Sequence, residues 1–176
     1  SPAIVCIIGT GSNSCYFDGN TIHQNVVSLG YILMDEASGN YFGKRLIRDY
    51  YYKKMPKSIA QKFESNFNVD PDFIKKNLYR ESDPNAYLAS FAKFMLENKE
   101  EQYVQALMKK GFEKFFEFRI LPYQKGVETP IYFIGSIAHY FRDILEKVAQ
   151  NYKLKITDVI QRPIDNLIEF HKTNEV

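Results

Sequence analysis

Gly9-Thr10-Gly11-Ser12-Asn13 is the first stretch whose residue types suit chemistry. Two glycines let a backbone turn tightly and approach a ligand closely. Successive N–H groups in such a turn can form an anion-binding nest, and Thr10, Ser12 and Asn13 add side-chain donors. The stretch lacks the Gly-Lys-Ser/Thr ending of a P-loop and lies between two strand-like runs, so that motif is excluded. Taken alone, an ordinary Gly-rich hairpin explains it more simply. The second stretch runs from Ser28 to Gly39 and holds the acidic pair Asp35-Glu36 just before a helix. Carboxylates accept strong hydrogen bonds from sugar hydroxyls; the competing reading makes Asp35 or Ser38 a helix N-cap. The third is Gly135-Ser136-Ile137-Ala138, which closes an apolar strand and opens a helix. Ligands of open α/β sheets bind outside the carboxyl ends of such strands, although a plain strand–helix loop accounts for the stretch as well. His23, His139 and His171 share no metal-ligand spacing and pair with no cysteine nucleophile. Tyr50-Tyr51-Tyr52-Lys53-Lys54 reads as a solvated helix end with snorkelling side chains, and the run Glu97 to Glu101 as an exposed face or loop.

These stretches need a scaffold. Ala3 to Ile8 is a continuous apolar run, as in a strand buried on both faces. Cys15-Tyr16-Phe17 resumes an extended pattern, Asp18-Gly19-Asn20 marks a hairpin turn, and Thr21 to Val27 reads as a third strand. Helices follow. Phe42, Leu46, Ile47 and Tyr50 share one face. Pro56 and Pro71 punctuate further short helices. Leu88, Phe91, Ala92 and Met95 mark another, and Val104, Leu107, Met108, Phe112 and Phe115 a longer one that includes Gly111. Ile131 to Ile134 is a short apolar strand. A helix with Phe141, Ile144, Leu145 and Val148 inward comes next, then a strand over Leu154 to Ile160. A last helix is led by Pro163, with Ile164, Leu167, Ile168 and His171 inward. The order is three strands, a helical insertion at about 56–120, then βαβα. That order predicts an α/β lobe of ribonuclease-H-like type: a mixed sheet with an antiparallel meander, covered by helices.

Composition narrows the function. The chain has 176 residues, 45% of them apolar, and a formal net charge of +2. A balance so close to neutral argues against a general nucleic-acid or membrane-surface binder. No apolar run approaches the ~20 residues of a membrane-spanning helix, and the N-terminus has no signal-peptide pattern. Two cysteines, Cys6 and Cys15, are too few for a disulfide scaffold and lack zinc spacing, so a reducing cytoplasm is the expected setting. The chain has no initiating Met and enters a strand-like run at once, which reads as a cut inside a longer protein.

The three stretches, in this order and on this element order, resemble the BadF/BadG/BcrA/BcrD ATPase and N-acetylglucosamine kinase family of the acetate-and-sugar-kinase, heat-shock ATPase and actin superfamily. Ile7 to Asn13 resembles its second phosphate-binding loop. Gly30 to Gly39 resembles its Gly-x-x-x-Gly-Asp-Glu-Gly-Ser segment, and Ile131 to Ala138 its adenosine motif. The similarity covers nearly all of the chain except the helical insertion.

The resemblance implies two actin-like lobes with ATP, Mg²⁺ and an amino sugar between them, this chain being the C-terminal lobe. The N-terminal lobe would supply a further phosphate loop and the aspartate base, so the chain alone holds no catalytic residue and is expected not to turn over. Gly9, Thr10, Gly11 and Ser12 would hold the ATP phosphates, and Gly135, Ser136 and Tyr140 would line the adenosine pocket. Ser28, Gly30, Asp35 and Glu36 would form the acceptor side, with Asp35 accepting from sugar hydroxyls and Glu36 supporting the loop. Partners would be the amino sugar, the other lobe and a second copy of the chain. The acceptor side departs from the family pattern: Val27-Ser28-Leu29-Gly30 stands where kinases carry Gly-Gly-Trp-Gly, and Met34 and Ala37 replace glycines. Two alternatives remain at this stage. One is an ATPase driving a partner, whose family members share an iron–sulfur cluster through cysteines. The other is a non-catalytic nucleotide or sugar sensor. If Thr10 donates to a phosphate, Thr10→Ala lowers kcat by roughly 10²–10³ with the melting temperature unchanged; steady-state kinetics beside a thermal melt check both.

Overall fold

β1 (Ala3–Ile8) is the central strand of a five-stranded sheet whose order is β3-β2-β1-β4-β5. The computed structural model describes residues 1–123 and 129–162; the expected last helix with Ile164, Leu167, Ile168 and His171 lies outside them. β1 pairs antiparallel with β2 (Ser12–Phe17), and β2 with β3 (Ile22–His23). On its other side β1 runs parallel to β4 (Ile131–Ile134), which runs parallel to β5 (Ile156–Ile160). The sheet is thus mixed, and the carboxyl ends of β1, β4 and β5 lie on one edge.

Period-two alternation sorts β1 into two faces. Ile4, Cys6 and Ile8 are fully buried, whereas Ile7 is 49% exposed. The expectation of burial on both faces therefore fails. Helices cover the face that Ile4 and Cys6 share with Ile131 and Phe133, their partners on β4: the rings of Phe115 and Phe116 lie 5.9 and 6.1 Å from that of Phe133.

The described helices between β3 and β4 are α1 (Gly39–Tyr51), α2 (Lys57–Asn66), α3 (Pro71–Tyr79), α4 (Pro84–Ser90), α5 (Ala92–Glu97) and α6 (Gln102–Phe115). A π-helical turn over Phe116–Ile120 continues α6, and α7 (Ser136–Tyr140) and α8 (Arg142–Asn151) link β4 to β5. The single helix expected around Leu88 to Met95 is two, broken at Phe91, whose ring packs on Phe63 and Phe67. Asp18 builds the turn between β2 and β3 as predicted, accepting from the backbone of Asn20 and Thr21, with Gly19 at φ +106°. Among the described residues no helix is long and apolar enough to cross a membrane.

The third strand is much shorter than the expected Thr21–Val27. After His23 the backbone finds side-chain partners in place of a ladder: the Val26 N–H donates to Tyr123 Oη at 3.2 Å, and the Val26 and Val27 carbonyls accept from Arg119 at 3.4 Å. Pairing the segment with β2 would forfeit those bonds and leave a buried arginine without acceptors.

α1 lies against α4 at backbone contact. A Cβ at Gly43 would sit 1.9 Å from the Leu88 carbonyl oxygen. Gly43→Ala therefore destabilises the protein by about 1–3 kcal/mol through overpacking, although alanine is the better helix former. A lowered urea midpoint at unchanged slope is the expected result.

Candidate functional site

Ile8 faces Ser12 across the first hairpin, so Gly9, Thr10 and Gly11 alone form its tip. The Gly9 N–H donates to the Gly11 carbonyl at 2.9 Å and closes the turn. The outer side of the turn is held by the start of α1. The Gly39 N–H donates to the Gly9 carbonyl at 2.7 Å, and the Asn40 N–H to the Thr10 carbonyl at 3.1 Å. Asn40 Nδ2 reaches the same Thr10 oxygen at 2.8 Å. Both tip carbonyls thus point to the helix. A trans peptide sets its N–H opposite its C=O, so the N–H groups of Thr10 and Gly11 point the other way. Neither donates a hydrogen bond among the described residues. A Cβ placed at Gly9 would meet nothing within 4 Å. The tip therefore presents two adjacent free donors beside open space, the arrangement that suits an anion.

Ser12 does not join them. It is buried beside Ile8, and its hydroxyl donates inward to the Glu36 carbonyl at 2.7 Å. Asn13 is also engaged, its Oδ1 accepting from the Ser14 N–H and from Gln24 Nε2.

The acidic segment lies directly against the tip. Asp35 is buried, in the left-handed region at φ +70°. Its Oδ2 would stand 2.8 Å from a Cβ at Gly11, so a glycine there is what lets the carboxylate seat on the loop. Oδ2 accepts from Asn40 Nδ2 at 2.9 Å, and Oδ1 makes no hydrogen bond among the described residues. Asn40 is fully buried and joins the two loops, and its own Oδ1 is buried without a partner. The N-cap of α1 is Ser38, whose Oγ accepts from the Tyr41 N–H at 3.2 Å, so Asp35 is free of that duty.

Glu36 points elsewhere, 3.4 Å from the guanidinium of Arg119, which is 1% exposed. Arg119 also meets the Val26 and Val27 carbonyls at 3.4 Å and Met34 Sδ at 3.3 Å. These bonds are long, so the contact acts through charge and burial as much as through hydrogen bonding. Lys44 caps the same segment by donating to the Tyr31 carbonyl. Burial pulls the Lys44 ammonium below its usual range, against the opposing influence of Asp35 and Glu36. Ser28 and Gly30 lie further along. Gly30, at φ +79°, makes a turn whose carbonyl accepts from Leu33 and Met34, and neither residue bonds to the tip or to Asp35.

The third stretch closes the group. Gly135 has φ +119°, and a Cβ there would lie 2.4 Å from the Ile8 carbonyl oxygen and 3.2 Å from the Gly9 nitrogen. Its N–H donates to the Ile160 carbonyl at 2.9 Å. The ends of β1, β4 and β5 thereby meet at one point, with Ser136 exposed beside them and the Tyr140 hydroxyl held by Gln161 Nε2 at 2.9 Å. Gly9, Thr10, Gly11, Asp35 and Gly135 are brought together, and Ser12 and Glu36 brace them. Asn40, Lys44 and Arg119 were not singled out in the sequence. An arginine in the aromatic-rich stretch Phe115 to Ile120 was the available signal for the last.

The overall fold is similar to that of solved structures. The "Putative N-acetylglucosamine Kinase" of Porphyromonas gingivalis is 36% identical with a TM-score of 0.92, covering 100% of this chain and 62% of that one. The protein of the same description from Chromobacterium violaceum is 19% identical with a TM-score of 0.70, over 89% of this chain and 55% of that one. Both neighbours bear the name of a sugar kinase. The second likeness shows the fold alone, and this chain spans less than two thirds of either protein. No protein-family model and no curated protein matches.

Arg119→Met strips Glu36 and two carbonyls of their cation and is expected to cost about 3 kcal/mol. The double replacement Arg119→Met/Glu36→Gln is expected to be milder than the sum of the singles, which a double-mutant cycle of urea unfolding measures.

Proposed function

We propose that the protein transfers the γ-phosphoryl group of ATP to a hydroxyl of an N-acetylglucosamine-type amino sugar. In this reading the chain is a ribonuclease-H-like, actin-like lobe that contacts both substrates. The observation that carries it is contiguity: two free N–H donors at Thr10 and Gly11 lie against a buried carboxylate at Asp35, on the edge where the parallel strands end. The 36% identity to a protein named as such a kinase supports the chemistry, and the strand order supports the fold-family reading.

The roles follow from what each group can do. The Thr10 and Gly11 N–H groups, with the Thr10 hydroxyl, donate to phosphate oxygens as charge develops on them. These donors are fixed in advance by α1, so they need no reordering during transfer. Gly135 lets the end of β4 pack directly on the Ile8 and Gly9 backbone, which holds the loop in place beside the nucleotide, and Ser136 and Tyr140 flank its adenosine. Asp35 accepts from an acceptor hydroxyl through its unbonded Oδ1. The sugar oxygen forms a bond to the γ-phosphorus, the bond to the β–γ bridging oxygen breaks, and ADP leaves. The hydroxyl proton passes to a base that the family reading places in a second lobe. Ser12, Glu36, Ser28 and Gly30 shape the loops in this scheme. The residues fit ATP, since the open space at Gly9 and the unused donors suit a phosphate. Mg²⁺ typically binds through substrate phosphates and one or two carboxylates. No group of three His, Cys, Asp or Glu among the described residues is clustered to hold an ion by itself. Cys6 is fully buried in the central strand, out of reach of a shared cluster, which favours transfer over the cluster-bearing alternative.

Asp35→Asn tests the assignment in the protein as its gene encodes it. Loss of a charge-assisted bond of about 1.5–3 kcal/mol raises the sugar Kd roughly tenfold to a hundredfold and leaves the affinity for a non-hydrolysable ATP analogue unchanged. Calorimetric titration of each ligand reads both. An unaltered sugar Kd removes Asp35 from the acceptor side.

A further inference from the structure

A separate cavity of about 660 Å³ opens along the flank of α1, and none of Gly9 to Ser12, Asp35 or Gly135 lines it. Its size is typical of small-ligand sites. Lys44, Arg45 and Arg48 of α1 line it together with Lys114 of α6. Arg48 stands four residues after Lys44 and three after Arg45, spacings that make helix neighbours, so α1 gathers three cations within little more than one turn. Glu36 is the one carboxylate among the described lining residues, and it is already paired with Arg119. None of the four cations forms an ion pair with a carboxylate among the described residues. Arg45 Nε is buried and has no hydrogen-bond partner. Four like charges around one cavity repel one another and raise its positive potential, which an anion relieves.

The rest of the lining is apolar or aromatic. Tyr31 and Tyr79 supply rings, and Leu78 and Leu88 part of the apolar wall. Ile32 and Leu33 of the same lining are 74% and 71% exposed. Cations and rings lining one cavity fit a ligand with a charged head and a ring-bearing body. Arginine favours planar, multidentate anions such as phosphate.

We propose that this cavity binds a small organic phosphate, an aryl or other ring-bearing phosphomonoester, with its phosphate on Arg45, Arg48 and Lys114 and its ring among Tyr31, Tyr79 and Leu78. The wall it rests on is the back of the segment that carries Asp35. The proposal stands independently of whether the Gly9 loop binds ATP.

Phenyl phosphate is the probe, titrated by calorimetry into the protein as its gene encodes it, with a non-hydrolysable ATP analogue and N-acetylglucosamine present in excess. Saturable one-site binding in the millimolar range or tighter is expected, and Arg48→Gln/Lys114→Gln weakens it at least about tenfold. Benzyl alcohol and inorganic phosphate each bind at least about tenfold more weakly than phenyl phosphate, since each lacks one half of the recognition. Lys114 is exposed, so Lys114→Gln alone keeps the test available if the double variant fails to fold, and about a threefold loss is then expected. Binding that is unchanged in these variants overturns the proposal, as does the absence of binding. Capture of an acidic peptide where phenyl phosphate fails overturns it in favour of a protein-docking surface.

Discussion

The first two backbone N–H groups of α1 donate to the carbonyls of Gly9 and Thr10, and the rest of the site is arranged around that contact. A helix start normally leaves such donors for a cap, for water or for an anion. Here they are used to turn a three-residue hairpin tip so that its own N–H groups face outward. The positive end of the helix does not touch the ligand site directly; it is relayed through two peptide units. Asn40 strengthens the relay, because one buried amide serves both the Thr10 carbonyl and the Asp35 carboxylate. The tip and the acidic segment consequently cannot shift independently.

Arg119 plays the complementary part from the far side. It anchors the segment that carries Asp35 through Glu36, Met34 and two carbonyls. Ser12 adds a bond from the hairpin to the Glu36 carbonyl. The acidic segment has no regular secondary structure before α1, yet its backbone groups are satisfied by side chains from three elements. Order in such a segment comes from these polar anchors rather than from a ladder, and it is lost when a buried anchor is removed.

Much of this was legible locally. β1, β4, the Asp18 turn and the inward face of α1 follow from short-range patterning, and the three ligand-type stretches were found from glycines and carboxylates alone. What was not legible depended on distant residues. β3 ends early because Tyr123 and Arg119, nearly a hundred residues on, take its continuation. Phe91 breaks a helix because its ring packs against Phe63 and Phe67. Ser12 reads as a ligand donor from its type, but alternation along β2 places it with Ser14 on the buried side, where its hydroxyl must bond inward. Asn40, adjacent to a glycine at a helix start, carries no local signature of the bridge it makes.

The pairing of β1 with β4 also dictates how the chain must be made. Ile4 is in register with Ile131, 127 residues later (131 − 4). Synthesis at ~5–20 residues per second puts roughly 6–25 s between the emergence of the two strands. For that interval the hairpin of β1 and β2 offers an unpaired edge, and Ile4, Cys6 and Ile8 await the helices that bury them. An apolar edge of this kind is a site for wrong partners. The nascent chain is therefore most open to mispairing before β4 emerges, and slower growth at lower temperature, with fewer chains exposed at once, favours recovery of the native sheet.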